Sequence, residues 1–134
     1  MAGFKTFEEI GAWQKSREVT KRIYRITAEG NFSRDYGLKD QIRRASVSVM
    51  SDIAEGFERS GSAEFIQFLA TAKGSAGEVR SQLDVALDQN YLPLDQFDLL
   101  CGLVTETSRM ISGLMAYLRD SGIKGTKYKK PVLT

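Results

Sequence analysis

Histidine is absent from this chain of 134 residues. Without an imidazole, no side chain titrates unaided near neutral pH, and Ser–His and Cys–His nucleophile pairs are excluded. The Glu-x-x-His ligands of di-iron helical bundles cannot be assembled either. Cysteine occurs once, at Cys101. One thiol forms no internal disulfide, which suits a reducing compartment, and it leaves zinc short of soft ligands. Proline occurs twice, at Pro93 and Pro131, both outside the helical patterns. No stretch approaches the ~18 apolar residues of a membrane span, and the opening segment lacks the apolar core of a signal peptide. These absences predict a cytoplasmic protein with no membrane contact, no metal, no cofactor and no catalytic role.

What remains is an ordinary globular composition, 42% hydrophobic and 27% charged, in one domain long enough to bury a core of its own. Charge is unevenly placed. Residues 1–60 hold 11 Lys/Arg against 9 Asp/Glu, and residues 61–123 hold 4 against 8. The last eleven residues add Lys124, Lys127, Lys129 and Lys130 with no acid.

Apolar periodicity divides the chain into four helices. The first opens at Thr6, where Thr6-Phe7-Glu8-Glu9 has the pattern of a capping box, and follows Ala12, Ser16, Val19, Ile23 and Ile26. Glu29-Gly30-Asn31 marks its end. The second starts near Tyr36 or Leu38 and buries Leu38, Ile42, Ala45, Val49, Ile53 and Phe57. The third, with Ser62 as N-cap, repeats Phe65, Leu69, Ala72, Ala76, Val79, Leu83 and Ala86. The fourth carries Phe97, Cys101, Val104, Ser108, Ile111, Met115 and Leu118. Joints of a few residues force antiparallel neighbours. The predicted fold is all-α: an up-down-up-down four-helix bundle over residues 1–123, followed by a flexible basic tail over 124–134.

Four features stand out from this frame. Lys15, Arg17, Lys21, Arg22 and Arg25 place five cations within eleven residues, opposed only by Glu18. Lys39, Arg43 and Arg44 open the second helix, and a helical hairpin brings the two groups together. Such a cluster contacts phosphates, or it is a solvated face with scattered ion pairs. Asp52 and Glu55 lie three apart beside the apolar Ile53 and Phe57, where a buried carboxylate needs a partner, and Arg43, Arg44 or Arg59 can supply it. The expectation is a polar network of Arg43, Arg44, Asp52 and Glu55, with one arginine tied in and the other outward. Small residues from Ala70 to Gly77 serve either tight packing inside the bundle or contact with another subunit. Cys101, at a seam position, reads as a buried core thiol.

Several motifs carry a family resemblance. They are Trp13-Gln14, Tyr36-Gly37-Leu38, Gln41-Ile42-Arg43-Arg44-Ala45, Ile53-Ala54-Glu55-Gly56, Phe65-Ile66-Gln67-Phe68-Leu69, and Ala72-Lys73-Gly74-Ser75 with Glu78. The chain resembles the four-helix-bundle proteins encoded in intervening sequences of bacterial 23S ribosomal RNA genes over roughly residues 4–120. It departs at Met50 and Asp52, where the family usually has Pro and Asn, and at Asp35, often Glu. The resemblance implies a ring-forming bundle, with a homopentamer favoured. The chain also resembles the accessory protein of diversity-generating retroelements, a basic bundle that binds nucleic acid beside a reverse transcriptase. Two function classes therefore stand. One is a non-catalytic oligomer that binds RNA or DNA through the basic face; the other is a protein-interaction scaffold. Aromatic residues at Phe4, Phe7, Trp13 and Phe57 suggest apolar surface left over for assembly.

Overall fold

The computed structural model describes residues 3–59 and 61–121. Four helices carry the fold: α1 (Gly11–Thr27), α2 (Tyr36–Glu58), α3 (Ser62–Asp88) and α4 (Leu94–Ser121). Each packs on its neighbours in sequence, and α4 closes back on α1. The result is an antiparallel four-helix bundle. The basic tail over 124–134 lies outside the described residues.

The entry to α1 departs from the expected cap. Thr6 makes no side-chain cap bond, and Phe7–Glu9 form a separate 3-10 turn. The Glu9 carboxylate instead accepts from the Lys5 amide at 3.4 Å. Apolar anchoring overrides the local motif. Ile10 is buried, and Phe7 packs edge-on against Trp13 at 5.2 Å, so the chain bends there before the helix begins. Gly30, at φ +53°, then takes the left-handed turn that leads towards α2.

Asp35 caps α2, its Oδ1 accepting from the Leu38 amide at 3.1 Å. At the start of α3 the cap is Gly61, one residue before the expected Ser62, which is already helical. The end of α3 is a Schellman turn. Asn90 sits at φ 60°, Tyr91 N donates to Ala86 O, and Asn90 N donates to Leu87 O, each at 2.9 Å.

All seven predicted seam residues of α3 are buried, as are Val19, Ile23, Ile42 and Val49 of the first two helices. On α4 the inward face is rotated. Val104, Ile111 and Leu118 are buried as expected, but the alternate positions are Leu100, Thr107 and Leu114. Phe97, Cys101, Ser108 and Met115 are only half-buried. Leu100 and Leu114 take the interior in place of Cys101 and Met115, and Thr107 replaces Ser108 as the buried hydroxyl.

The middle of the bundle is lined with small side chains. Ser16, Ser46 and Thr107 are buried, and each hydroxyl donates to a carbonyl of its own helix: Trp13, Arg43 and Leu103. These buried hydroxyls are satisfied locally. The Thr20 hydroxyl, 3.2 Å from the Ser46 carbonyl, joins α1 to α2 across that level.

Candidate functional site

The predicted basic residues divide into three groups. Arg17, Lys21 and Arg25 recur every four residues on α1, which puts them on one face, opposite the buried row of Ala12, Ser16, Val19 and Ile23. All three are exposed, and none forms an ion pair among the described residues. Arg17 lies over the Trp13 ring at 5.8 Å.

Lys15 and Arg22 form the second group. They clasp Glu18 at 3.9 and 3.3 Å on the flank of α1. Arg22 also lines a groove towards α4 with Arg25, Glu29 and Gln96, and its buried Nε has no hydrogen-bond partner.

The third group opens α2. Arg43 spans the hairpin: its Nε donates to Thr27 Oγ1 at 2.8 Å, its Nη2 donates to the Tyr24 carbonyl at 3.3 Å, and its guanidinium stacks over the Tyr24 ring. Arg44 pairs with Asp40 at 2.9 Å in full solvent. Lys39 is half-buried, without an ion pair among the described residues, and lines a shallow depression with Tyr36 and Arg43. Tyr36 is 75% exposed and Tyr24 42%. The sequence marks Tyr36 only as a helix start and family motif and Tyr24 not at all, since Tyr on a helix exterior carries no periodic signal.

The expected network of Arg43, Arg44, Asp52 and Glu55 does not form within the chain. Nine residues separate Arg43 from Asp52, about two and a half turns, so the two side chains leave opposite flanks of α2. Arg43 faces α1. Asp52 faces α3, where Ser48 Oγ donates to its Oδ2 at 3.3 Å and Ser75 Oγ meets Ser48 Oγ at 3.2 Å. Burial pushes the Asp52 carboxyl above its ordinary value, with the Ser48 hydrogen bond opposing and the Glu55 charge adding to the rise. Glu55 pairs with Arg59 at 2.9 Å instead.

Gly56 and the glycines of α3 sit in opposite settings. Gly56 is buried, and a Cβ there would lie 2.7 Å from Phe68 Cβ and 3.0 Å from Phe65 Cδ1. Gly74 and Gly77 face open space, with nothing within 4 Å of a built Cβ. Close packing inside the bundle therefore explains Gly56 and not the α3 pair. The four aromatics read as surplus surface are absorbed too, since Phe4 and Phe57 are buried and Phe7 and Trp13 pack on the core.

Cys101 is half-buried, and burial raises its thiol, which opposes reactivity. Among the described residues no cluster of acids and thiols could hold a metal, and no helix is long and apolar enough to cross a membrane.

Known proteins place this architecture. A crystal structure of a protein of unknown function, from the S23 ribosomal protein family of Bacteroides thetaiotaomicron, superposes with a TM-score of 0.71. It is 23% identical and covers 78% of this chain and 97% of its own. At that identity the likeness establishes the fold. No curated protein matches. The family described as 23S rRNA-intervening sequence protein matches residues 8–113, nearly the whole bundle, and the chain belongs to that family.

Proposed function

We propose that this protein is a non-catalytic nucleic-acid-binding bundle that meets phosphates with the exposed face of α1 and the start of α2. The observation that carries this reading is the row of Arg17, Lys21 and Arg25, outward and without acid partners among the described residues. Lys39 and Arg43 extend the positive surface onto α2. Cations not neutralised by neighbours displace counterions from a nucleic-acid backbone, and the entropy of release drives binding. Tyr24 and Tyr36 add exposed rings on which an unpaired base can stack. No groove-reading element accompanies them, so phosphate contacts lead and sequence preference is weak.

Each copy offers few contacts, and assembly multiplies them. A homo-oligomer, with the pentameric ring favoured by the resemblance, repeats the face and raises avidity without new chemistry. Leu94 and Leu99, 61% and 48% exposed on α4, supply apolar surface for a neighbouring copy. The same surface supports the second reading, a scaffold that docks a protein partner such as a polymerase.

The deciding experiment is a gel-shift titration with structured RNA at two salt concentrations. Wild type is compared with the triple variant Arg17→Glu, Lys21→Glu, Arg25→Glu. Binding that weakens with salt and loses about 2–3 units of salt slope in the variant supports the nucleic-acid reading. Absence of binding at low salt transfers the role to the scaffold. Sedimentation tests assembly separately, since a 14.9 kDa species alone at micromolar concentration refutes the ring.

A further inference from the structure

The outward flanks of α3 and α4 enclose an open groove of about 430 Å³, within the range of small-ligand sites. Lys73 and Arg80 line it from α3 and Arg109 lines it from α4, with the Ser108 and Ser112 hydroxyls between them. No carboxylate belongs to this lining, and none of the three cations forms an ion pair among the described residues. The sequence makes this concentration conspicuous. Residues 61–123 carry only 4 basic side chains against 8 acidic ones, yet three of the 4 gather here. Three cations with no carboxylate in the lining give the groove a positive potential that attracts an anion.

Gly77 gives a second indication. It forms part of the groove wall, and no atom lies within 4 Å of a built Cβ. Glycine weakens a helix interior, and here no internal packing compensates. A bare backbone is useful where a ligand approaches closely. The lining contains no aromatic ring, which removes the usual platform for a nucleobase. Lys73 and Arg80 are seven residues apart, ~10.5 Å along the axis, a spacing that a chain of phosphates spans without the two side chains having to converge on one point.

We propose that the α3–α4 groove is a binding site for an oligophosphate chain of about triphosphate length. It is separate from the α1–α2 face and does not depend on that face binding nucleic acid. Lys73, Arg80 and Arg109 neutralise the chain, and the serine hydroxyls donate to its oxygens. The chain comes either as free oligophosphate or as the tail of a nucleotide, and both present the same groups.

Calorimetric titration of the full chain at low salt, with inorganic tripolyphosphate and with a nucleoside triphosphate, tests this. Both should bind, while a nucleoside monophosphate binds far more weakly. Arg80→Gln and Arg109→Gln should each weaken binding about tenfold, the worth of one charge-assisted hydrogen bond. Gly77→Glu, whose new side chain enters open space, should abolish binding with the helical circular-dichroism spectrum retained. The Arg17→Glu, Lys21→Glu, Arg25→Glu variant should bind as wild type does. Failure of tripolyphosphate to bind, including the case where only the nucleotide binds, overturns the proposal. Binding that survives Gly77→Glu and Arg80→Gln but is lost in the α1 variant overturns it equally.

Discussion

The Arg43 guanidinium lies 4.3 Å from the centre of the Tyr24 ring, which makes this arginine a strut between α1 and α2. Its partners are a ring, a carbonyl and a hydroxyl, none of them charged. The Arg44 side chain next to it is 80% exposed and only touches Asp40 one turn away. Two adjacent arginines thus do unlike work.

Replacing Arg43 by Ala is expected to cost about 1–2 kcal/mol, from one or two hydrogen bonds and a cation–π contact. Arg44→Ala should stay within about 0.5 kcal/mol, as for an exposed pair. Urea denaturation of both variants measures the contrast. Equal losses would mean that the strut carries no weight.

Glycine substitutions should move stability in opposite directions on two helices. Gly56→Ala forces a methyl against Phe68 Cβ, an atom next to the backbone that cannot swing aside, and should destabilise by about 1–3 kcal/mol. Gly74→Ala adds a methyl in open space and should stabilise by about 0.5–1 kcal/mol through helix propensity and a less flexible unfolded chain. Thermal melts give both signs. A destabilised Gly74→Ala would place a neighbouring subunit against that face.

Asp52 predicts a pH dependence of known sign. Its carboxyl is raised in the folded state, so folding favours the protonated form. The resulting penalty is absent below the ordinary value of 3.8, grows as pH rises towards the folded value, and is complete above it. Asp52→Asn keeps a hydrogen-bond acceptor for Ser48 and cannot ionise. The variant should therefore be more stable than wild type at pH 7, and the difference should vanish below pH 3.8. A gap that stays constant across that range would remove burial as the cause.

Tyr91 Oη donates to Asp35 Oδ2 at 2.9 Å, and Tyr91→Phe should lower the midpoint of urea denaturation. The hydrogen bond to Asp35, with burial and the Asp35 charge adding to it, raises the Tyr91 phenol above its ordinary value of 10.0. This contribution is present at neutral pH and fades at alkaline pH, as the phenol ionises in the folded state. A Phe variant as stable as wild type at pH 7 would show that the bond is idle.

Legibility followed the strength of each physical signal. The α3 repeat was read completely because every seam residue is apolar and the period is unbroken. On α4 two overlapping stripes share Val104, Ile111 and Leu118, and only packing against the other three helices decides between Leu100 and Cys101. The Thr6 box failed because a hydroxyl's local hydrogen bond yields to burial of Ile10 and the Phe7–Trp13 contact. At the basic face, spacing placed Arg17, Lys21 and Arg25 on one side, but the role of Arg43 depends on where Tyr24 lies across the hairpin. The α3–α4 groove was hidden for a related reason. Arg109 is far from Lys73 and Arg80 in sequence, and the acid excess of that half masks all three.

The bond between Asp35 and Tyr91 does more than stabilise. Asp35 belongs to the α1–α2 joint and Tyr91 to the α3–α4 joint, and the Tyr91 ring also stacks on Phe32 at 5.1 Å. The two loops at that end of the bundle are buttoned together, whereas the start of α1 and the end of α4 lie towards the opposite end. Lys39 and Arg43 sit just beyond the buttoned joint, with the Lys39 amide donating to the Asp35 carbonyl. Their backbone is consequently fixed before any ligand arrives, and binding there sacrifices little chain entropy. Weak individual charges can be useful on such a mount, because almost none of their attraction is consumed in organising the surface that presents them.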